Sequence, residues 1–396
     1  MQRLECVVQQ YAWGKKGTCS IVANLKAASD KTYAIKDNEP YAELWMGTHP
    51  NGPSSIADTS QLLSEWIKEN PWALGNTTDI PYLFKVLSVN QALSIQAHPD
   101  KSAAKRLHKD FPHIYKDANH KPEMAIALTH FEALCQFRPM AQIVNNITHV
   151  EEFRLLVDPS VATAVVEFQD LPSLRAFFRA MIYCDPTKAT AALASLRTRL
   201  ESLRESLSPL DALVLRLNEQ YPNDIGAFSP YLLNYVVLEP GDAVFLGANE
   251  PHAYLSGECV ECMAGSDNVV RAGLTPKFID KATLVDMLTY NVGSPPVQCG
   301  KTVDEFLTRY TSPVPEFQVE RITLPSSKTY NLEATAGPSI LLVLNGQGVA
   351  SVQGGAELDV GTGQVFFVPA GYSVTLTSRS DGLVVYRSSP NENAQK

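Results

Sequence analysis

Three short runs of the chain hold residue types able to bind a metal ion. In Leu93-Ser94-Ile95-Gln96-Ala97-His98-Pro99, apolar and polar residues alternate up to a proline, the pattern of a strand that stops there. Successive side chains of a strand point to opposite faces, so Gln96 and His98 share one. In His120-Lys121-Pro122-Glu123-Met124-Ala125-Ile126-Ala127-Leu128 the same rule puts Lys121 and Glu123 on one face with Ala125 and Ala127, whose small side chains leave room beside them. Asn249-Glu250-Pro251-His252-Ala253-Tyr254 adds another imidazole and, two residues on, a phenol. If these strands converge, Gln96, His98, Glu123 and His252 form a four-ligand centre. Two imidazoles, one carboxylate and one amide oxygen suit one Zn²⁺ per chain, with Fe²⁺, Mn²⁺ and Co²⁺ left open. A single carboxylate leaves such a centre net positive, a Lewis acid that polarises a carbonyl without redox chemistry.

A chain of 396 residues exceeds one ordinary core and predicts two or three domains. Ahead of the ligand runs, Leu62, Leu63 and Trp66 repeat at helical spacing within 59–70, and Pro81-Tyr82-Leu83-Phe84-Lys85-Val86-Leu87 reads as a buried strand interrupted by one charge. A lysine in that setting either reaches the surface along its stem or serves as a cation in a pocket. Asp100 caps a helix through Ala103, Ala104 and Leu107 that carries the chain from the first ligand run to the second. From about 139 to 223 the periodicity turns helical, with Leu174, Phe177, Phe178 and Met181, then Leu193, Leu196, Leu200 and Leu203, at three- and four-residue spacing. This segment is an all-helical insertion, expected to cover one mouth of the catalytic domain.

Strand character resumes at Tyr235–Asp242, and a repeat follows. Gly241 precedes His252 by eleven positions, and Gly363, in Gly363-Gln364-Val365-Phe366-Phe367-Val368-Pro369-Ala370-Gly371, precedes Val374 by the same distance. The spacing resembles the second sequence motif of the cupin barrel, with Val374 where a metal-binding histidine would stand. The implied fold is mainly β: a metal-binding cupin barrel, a degenerate C-terminal one and the helical insertion. The expected boundaries are 1–138 and 226–311 for the catalytic domain, 139–225 for the insertion and 312–396 for the C-terminal domain, with Ser312-Pro313-Val314-Pro315 as the break.

A formal charge of -9 argues against nucleic acid or an anionic membrane as partner, because either favours a basic surface. No apolar run reaches the roughly 20 residues needed to cross a bilayer, and Met1-Gln2-Arg3-Leu4-Glu5 lacks the apolar core of a signal peptide, so a cytoplasmic location is expected. Seven scattered cysteines fit reduced thiols, and Cys259 and Cys262 lack the second pair that a structural zinc site needs.

Longer runs carry a family resemblance. Gln9-Gln10-Tyr11-Ala12-Trp13-Gly14, Tyr41-Ala42-Glu43-Leu44-Trp45-Met46-Gly47-Thr48-His49-Pro50, Asp117–Glu123, Gly257–Met263 and Asn268–Phe278 resemble the signatures of type I mannose-6-phosphate isomerases. The resemblance implies a zinc-dependent aldose-ketose isomerase that interconverts mannose 6-phosphate and fructose 6-phosphate and feeds mannose activation, by way of GDP-mannose, for glycan synthesis. A small sugar phosphate is the expected partner and a monomer the expected state. The same resemblance makes Arg271 catalytic, through an oxyanion or a phosphate. Glu261 is the candidate proton-transferring base, with Lys121 and Lys85 as competitors. Lys85 and Lys277 are the expected phosphate cations, and Ser94, Trp13 and Tyr254 the pocket walls. Two other classes have less support. An iron dioxygenase on this scaffold would show a ligand set richer in histidine than one with Gln96 and Glu123. A sugar-storage protein would not need Lys121, Glu261, Arg271 and Lys277 beside a metal.

Overall fold

The computed structural model describes residues 1–203, 206–295, 297–352 and 355–394. Two large antiparallel sheets and a helical segment account for most of the chain. The first sheet has eleven strands, and Glu43–Met46, Tyr82–Val89, His252–Ala264, Glu123–Ala127 and Ala243–Leu246 lie side by side through its middle. The second has ten strands and is built mainly from residues after 300, around the long strands Ser339–Val352 and Val374–Ser389. Both strand orders run open, and no closed barrel forms among the described residues.

The strand Tyr82–Val89 shows how the sheets pack. Every residue in it is buried. Phe84 and Val86 join Ile126, Val260, Ile340, Leu342 and Phe367 in a core shared by both sheets. The alternate residues Leu87 and Val89 face the other way, among Ala125, Ala127, Phe131 and Tyr254. Lys85, on the same face as Leu87 and Val89, is 6% exposed, so most of its charge must be satisfied by protein groups.

Among the described residues, the insertion holds six α-helices between Met140 and Gln220. The strands on either side of it, Phe131–Phe137 and Leu233–Leu238, pair directly in antiparallel register, with Phe137 opposite Leu233. The helices are thus an excursion that leaves and re-enters the first sheet at adjacent strands. Their apolar faces share one core with that sheet, where Phe153, Leu174, Phe177, Leu193 and Leu217 join Ile95, Leu134, Phe137 and Leu255.

Three expectations shift. The helix expected over 59–70 occupies Leu63–Glu69, after a short strand at Ser55–Ile56. The first residues do not all stay with the catalytic sheet, because Gln2–Glu5 pairs with Val365–Phe367 on one side and Ser55–Ile56 on the other, within the second sheet. The strand Leu307–Thr311, which precedes the expected break, also lies in that second sheet, paired with Gln318–Leu324. Long-range pairing of this kind leaves no mark on a local hydrophobic pattern.

Candidate metal centre and active site

Cross-strand register sets the site out as rows. Trp45, Lys85, Glu261 and Ala125 stand directly opposite one another on four neighbouring strands, and Glu123 stands opposite Met263. Directly opposed residues share a face, so Lys85, Glu261 and Glu123 project to one side. On the short strand Ile95–Ala97, Gln96 pairs with His252 on one side and Arg271 on the other. The strand ends there because Pro99 has no N–H to give and Asp100 caps the helix Lys101–Asp110. His98 therefore faces the centre from just beyond the strand. Lys121 likewise precedes its strand, which starts at Glu123 after Pro122.

His98, Glu123 and His252 are each at most 2% exposed, and their ligand atoms lie within 4.8 Å of one another. His98 Nε2 is 3.4 Å from Glu123 Oε1, and His252 Nε2 is 3.3 Å from Glu123 Oε2. Each imidazole is turned by its other nitrogen, which meets a backbone carbonyl: His98 Nδ1 at 2.7 Å from Asn268 O, His252 Nδ1 at 3.0 Å from Glu250 O. A carbonyl only accepts, so Nδ1 carries the proton and Nε2 keeps a bare lone pair. Both Nε2 atoms and Glu123 Oε2 are buried without a hydrogen-bond partner. Buried polar atoms left so cost free energy, and a cation among them removes that cost. The donor set therefore fits a metal ion. Burial pushes the His98 imidazole down to about 4, which keeps it neutral and able to donate. Burial disfavours the Glu123 carboxylate, but Lys121 and His98 outweigh it and hold Glu123 well below the usual carboxylate range.

A second buried polar row runs beside this centre. Lys85 Nζ lies 3.2 Å from both Glu43 Oε2 and Glu261 Oε2, and Tyr254 donates to Glu261 Oε1 at 2.8 Å. Burial opposes the Lys85 charge, yet the two carboxylates raise its pKa. Glu261 is displaced upward, chiefly by burial, with Lys85 opposing and Glu123 and Glu43 adding to the rise. A carboxyl group shifted that way exchanges protons more readily near neutral pH. Lys121 Nζ sits 3.0 Å from Glu123 Oε1.

Gln96, Glu123, Glu261, Lys85, Lys121, Arg271, Lys277, Ser94, Trp13 and Tyr254 all line one cavity of about 670 Å³. Arg271 and Lys277 have no ion-pair partner among the described residues, and burial alone lowers the Arg271 pKa. Half-buried guanidinium without an acid partner marks a place for an anion. Lys85, expected as a second phosphate cation, differs in that its ammonium already pairs with two carboxylates. Glu43 also belongs to this row, although no ligand or family motif singles it out. Its signal is a carboxylate flanked by Ala42, Leu44, Trp45 and Met46, since a charge inside an apolar strand is a buried, paired one. Cys259 and Cys262 are buried and unpaired with raised pKa values, as expected of inert thiols.

Comparison with known proteins agrees over nearly the whole chain. The family described as phosphomannose isomerase type I matches through its catalytic domain at residues 1–140, its helical insertion domain at 141–233 and its C-terminal part at 310–354. Mannose-6-phosphate isomerase 1 of Arabidopsis thaliana is 45% identical, covering 99% of this chain and 94% of its own length. Mannose-6-phosphate isomerase of Homo sapiens is 43% identical, with 97% of each covered. A crystal structure of mannose 6-phosphate isomerase bound with zinc and yttrium superposes with a TM-score of 0.86 at 30% identity, covering 99% of both chains.

Proposed function

The chain belongs to the type I phosphomannose isomerase family, and from that premise we propose that it interconverts mannose 6-phosphate and fructose 6-phosphate through an enediol intermediate. The reading is carried by the three unpartnered ligand atoms of His98, Glu123 and His252, gathered at one buried point from which Glu123 joins Glu261 in lining the cavity. With Gln96 as fourth donor, these residues would hold one Zn²⁺ per chain. Bound there, the ion would supply Lewis acidity at the sugar carbonyl and make the adjacent C–H more acidic.

The remaining work falls to the protein. Glu261, raised in pKa and fixed by Tyr254 and Lys85, takes the proton from C2 of the aldose and returns one to C1, while the hydroxyl proton on O2 passes to O1. Lys121 is the competing proton carrier. Arg271, placed by its register opposite Gln96, stabilises the oxyanion charge that develops during transfer. Lys277, exposed on the cavity rim, holds the phosphate. Trp13 and Ser94 form walls. A monomer is the expected working unit, and the product would serve mannose activation for glycan synthesis.

The test is isomerase assay of the purified protein in D₂O. Deuterium from solvent appearing on C1 of fructose 6-phosphate, with activity lost to a chelator and restored by zinc, is the expected result. Full turnover with no solvent deuterium would replace proton transfer by an internal hydride shift.

A further inference from the structure

The helical insertion returns to the sheet at Asp224, and the Asp224 carboxylate reaches into the catalytic domain. Its Oδ1 accepts from Gly226 N at 2.7 Å and Leu274 N at 2.9 Å, and its Oδ2 accepts from Thr275 N at 3.0 Å. The two outer N–H groups belong to the segment between Arg271 and Lys277. The approach is close. A Cβ on Gly226 would stand 2.6 Å from Leu274 N, and one on Gly273 would stand 2.7 Å from the Gly226 Cα. Leu274 itself adopts a φ of 53°, a left-handed conformation that a branched side chain rarely takes and that surrounding structure must enforce. The carboxylate supplies that enforcement, since charge-assisted bonds to backbone N–H groups are stronger than neutral ones. A second tether lies just upstream. The side chain of Gln220 accepts from Ala92 N at 3.0 Å, and Tyr221 donates to Ala92 O, so the same end of the insertion also grips the chain leading to Gln96.

We propose that Asp224 is a positioning residue for substrate phosphate: from the end of the helical insertion it fixes the turn that aims Lys277 and Arg271 into the cavity. The insertion is thus a buttress of the substrate site in addition to a cover. This inference rests on the reading of Lys277 as the phosphate cation.

The experiment measures competitive inhibition by inorganic phosphate, together with KM, kcat, zinc content and thermal stability, in the zinc-loaded full chain. Asp224→Ala is expected to raise the phosphate Ki and the KM about tenfold or more with zinc content unchanged, an effect in the range that small misplacements of binding groups produce. Asp224→Asn keeps the size of the side chain and one acceptor oxygen, and is expected to shift both constants in the same direction if the alanine variant does not fold. Asp170→Ala serves as control: it removes the cap of the helix Leu171–Ile182 within the same insertion, where Asp170 accepts from Ser173 N at 2.9 Å. It is expected to lower thermal stability and leave Ki and KM alone. Lys277→Ala tests the underlying reading. If it leaves Ki unmoved, the phosphate assignment fails. If it raises Ki while a folded Asp224→Asn does not, the positioning role fails. An equal rise in Asp170→Ala would also overturn that role, by showing general loosening of the insertion.

Discussion

His252 and Val374 each begin a long strand, and each follows by eleven positions a glycine of positive φ, 97° at Gly241 and 82° at Gly363. Between glycine and strand, each chain forms one four-residue strand, Ala243–Leu246 or Val365–Val368. The local backbone plan is shared, but the interiors differ. His252 looks onto His98 and Glu123. Val374 lies opposite Leu332 and Val352 and packs in a core with Leu341, Val343, Phe366 and Leu376. Buried imidazoles and carboxylates cost desolvation free energy, which the first sheet recovers only through pairing and an ion, whereas buried aliphatic groups stabilise by leaving water. The first sheet thus gathers buried polar groups here at some expense in stability, where the second packs aliphatic ones.

Replacing groups in the first sheet should change turnover far more than stability. Glu261→Gln removes the proton acceptor and keeps the shape, so kcat is expected to fall about 10² to 10⁴-fold, with zinc content unchanged by metal analysis. Arg271→Ala is expected to lose about 10² to 10³-fold in kcat while thermal unfolding stays near wild type. Wild-type turnover in either variant would return that residue to a structural role. The second sheet should respond in the opposite way. Val374→Ala is expected to lower stability by roughly 1–3 kcal/mol through a packing void and to leave KM unchanged; a shifted KM at unchanged stability would place the second sheet in the chemistry.

Glu316 spans the two regions and sharpens the contrast with the smallest effect. It accepts from Lys101 Nζ at 2.8 Å and His120 Nε2 at 2.7 Å, on the segments that lead away from His98 and into Glu123. Burial alone would raise its pKa, but these partners bring it from the ordinary 4.5 down to about 2. A carboxyl group lowered on folding stabilises fully above pH 4.5 and loses that contribution as the pH falls toward 2. Glu316→Gln should therefore cost about 1 kcal/mol at pH 7, after allowance for solvent screening. In denaturant titrations the gap from wild type should close as the pH is lowered from 4.5 toward 2. A gap that persists at pH 2 would point to packing instead of charge.

The parts legible in the sequence were those with a local signature. Helical periodicity marked the insertion, and residue type with strand alternation marked His98, Glu123 and His252, which the fold brings together. The resemblance added Arg271 and Lys277. Three features lay beyond that reach. The pairing of Gln2–Glu5 with Val365–Phe367 joins opposite ends of the chain and depends on the shared core of the two sheets. The neutralisation of Lys85 needs Glu43, which comes alongside only through strand pairing. The grip of Asp224 on Leu274 and Thr275 crosses about fifty residues of sequence and uses backbone N–H groups, which no residue type announces.

The most direct test of the division of labour is metal stoichiometry after saturation with zinc and removal of excess, in the wild-type chain and in His252→Ala. One zinc per wild-type chain and close to none in the variant, with activity lost in parallel, is the expected outcome. Two zinc ions per wild-type chain, or full occupancy in His252→Ala, would contradict it.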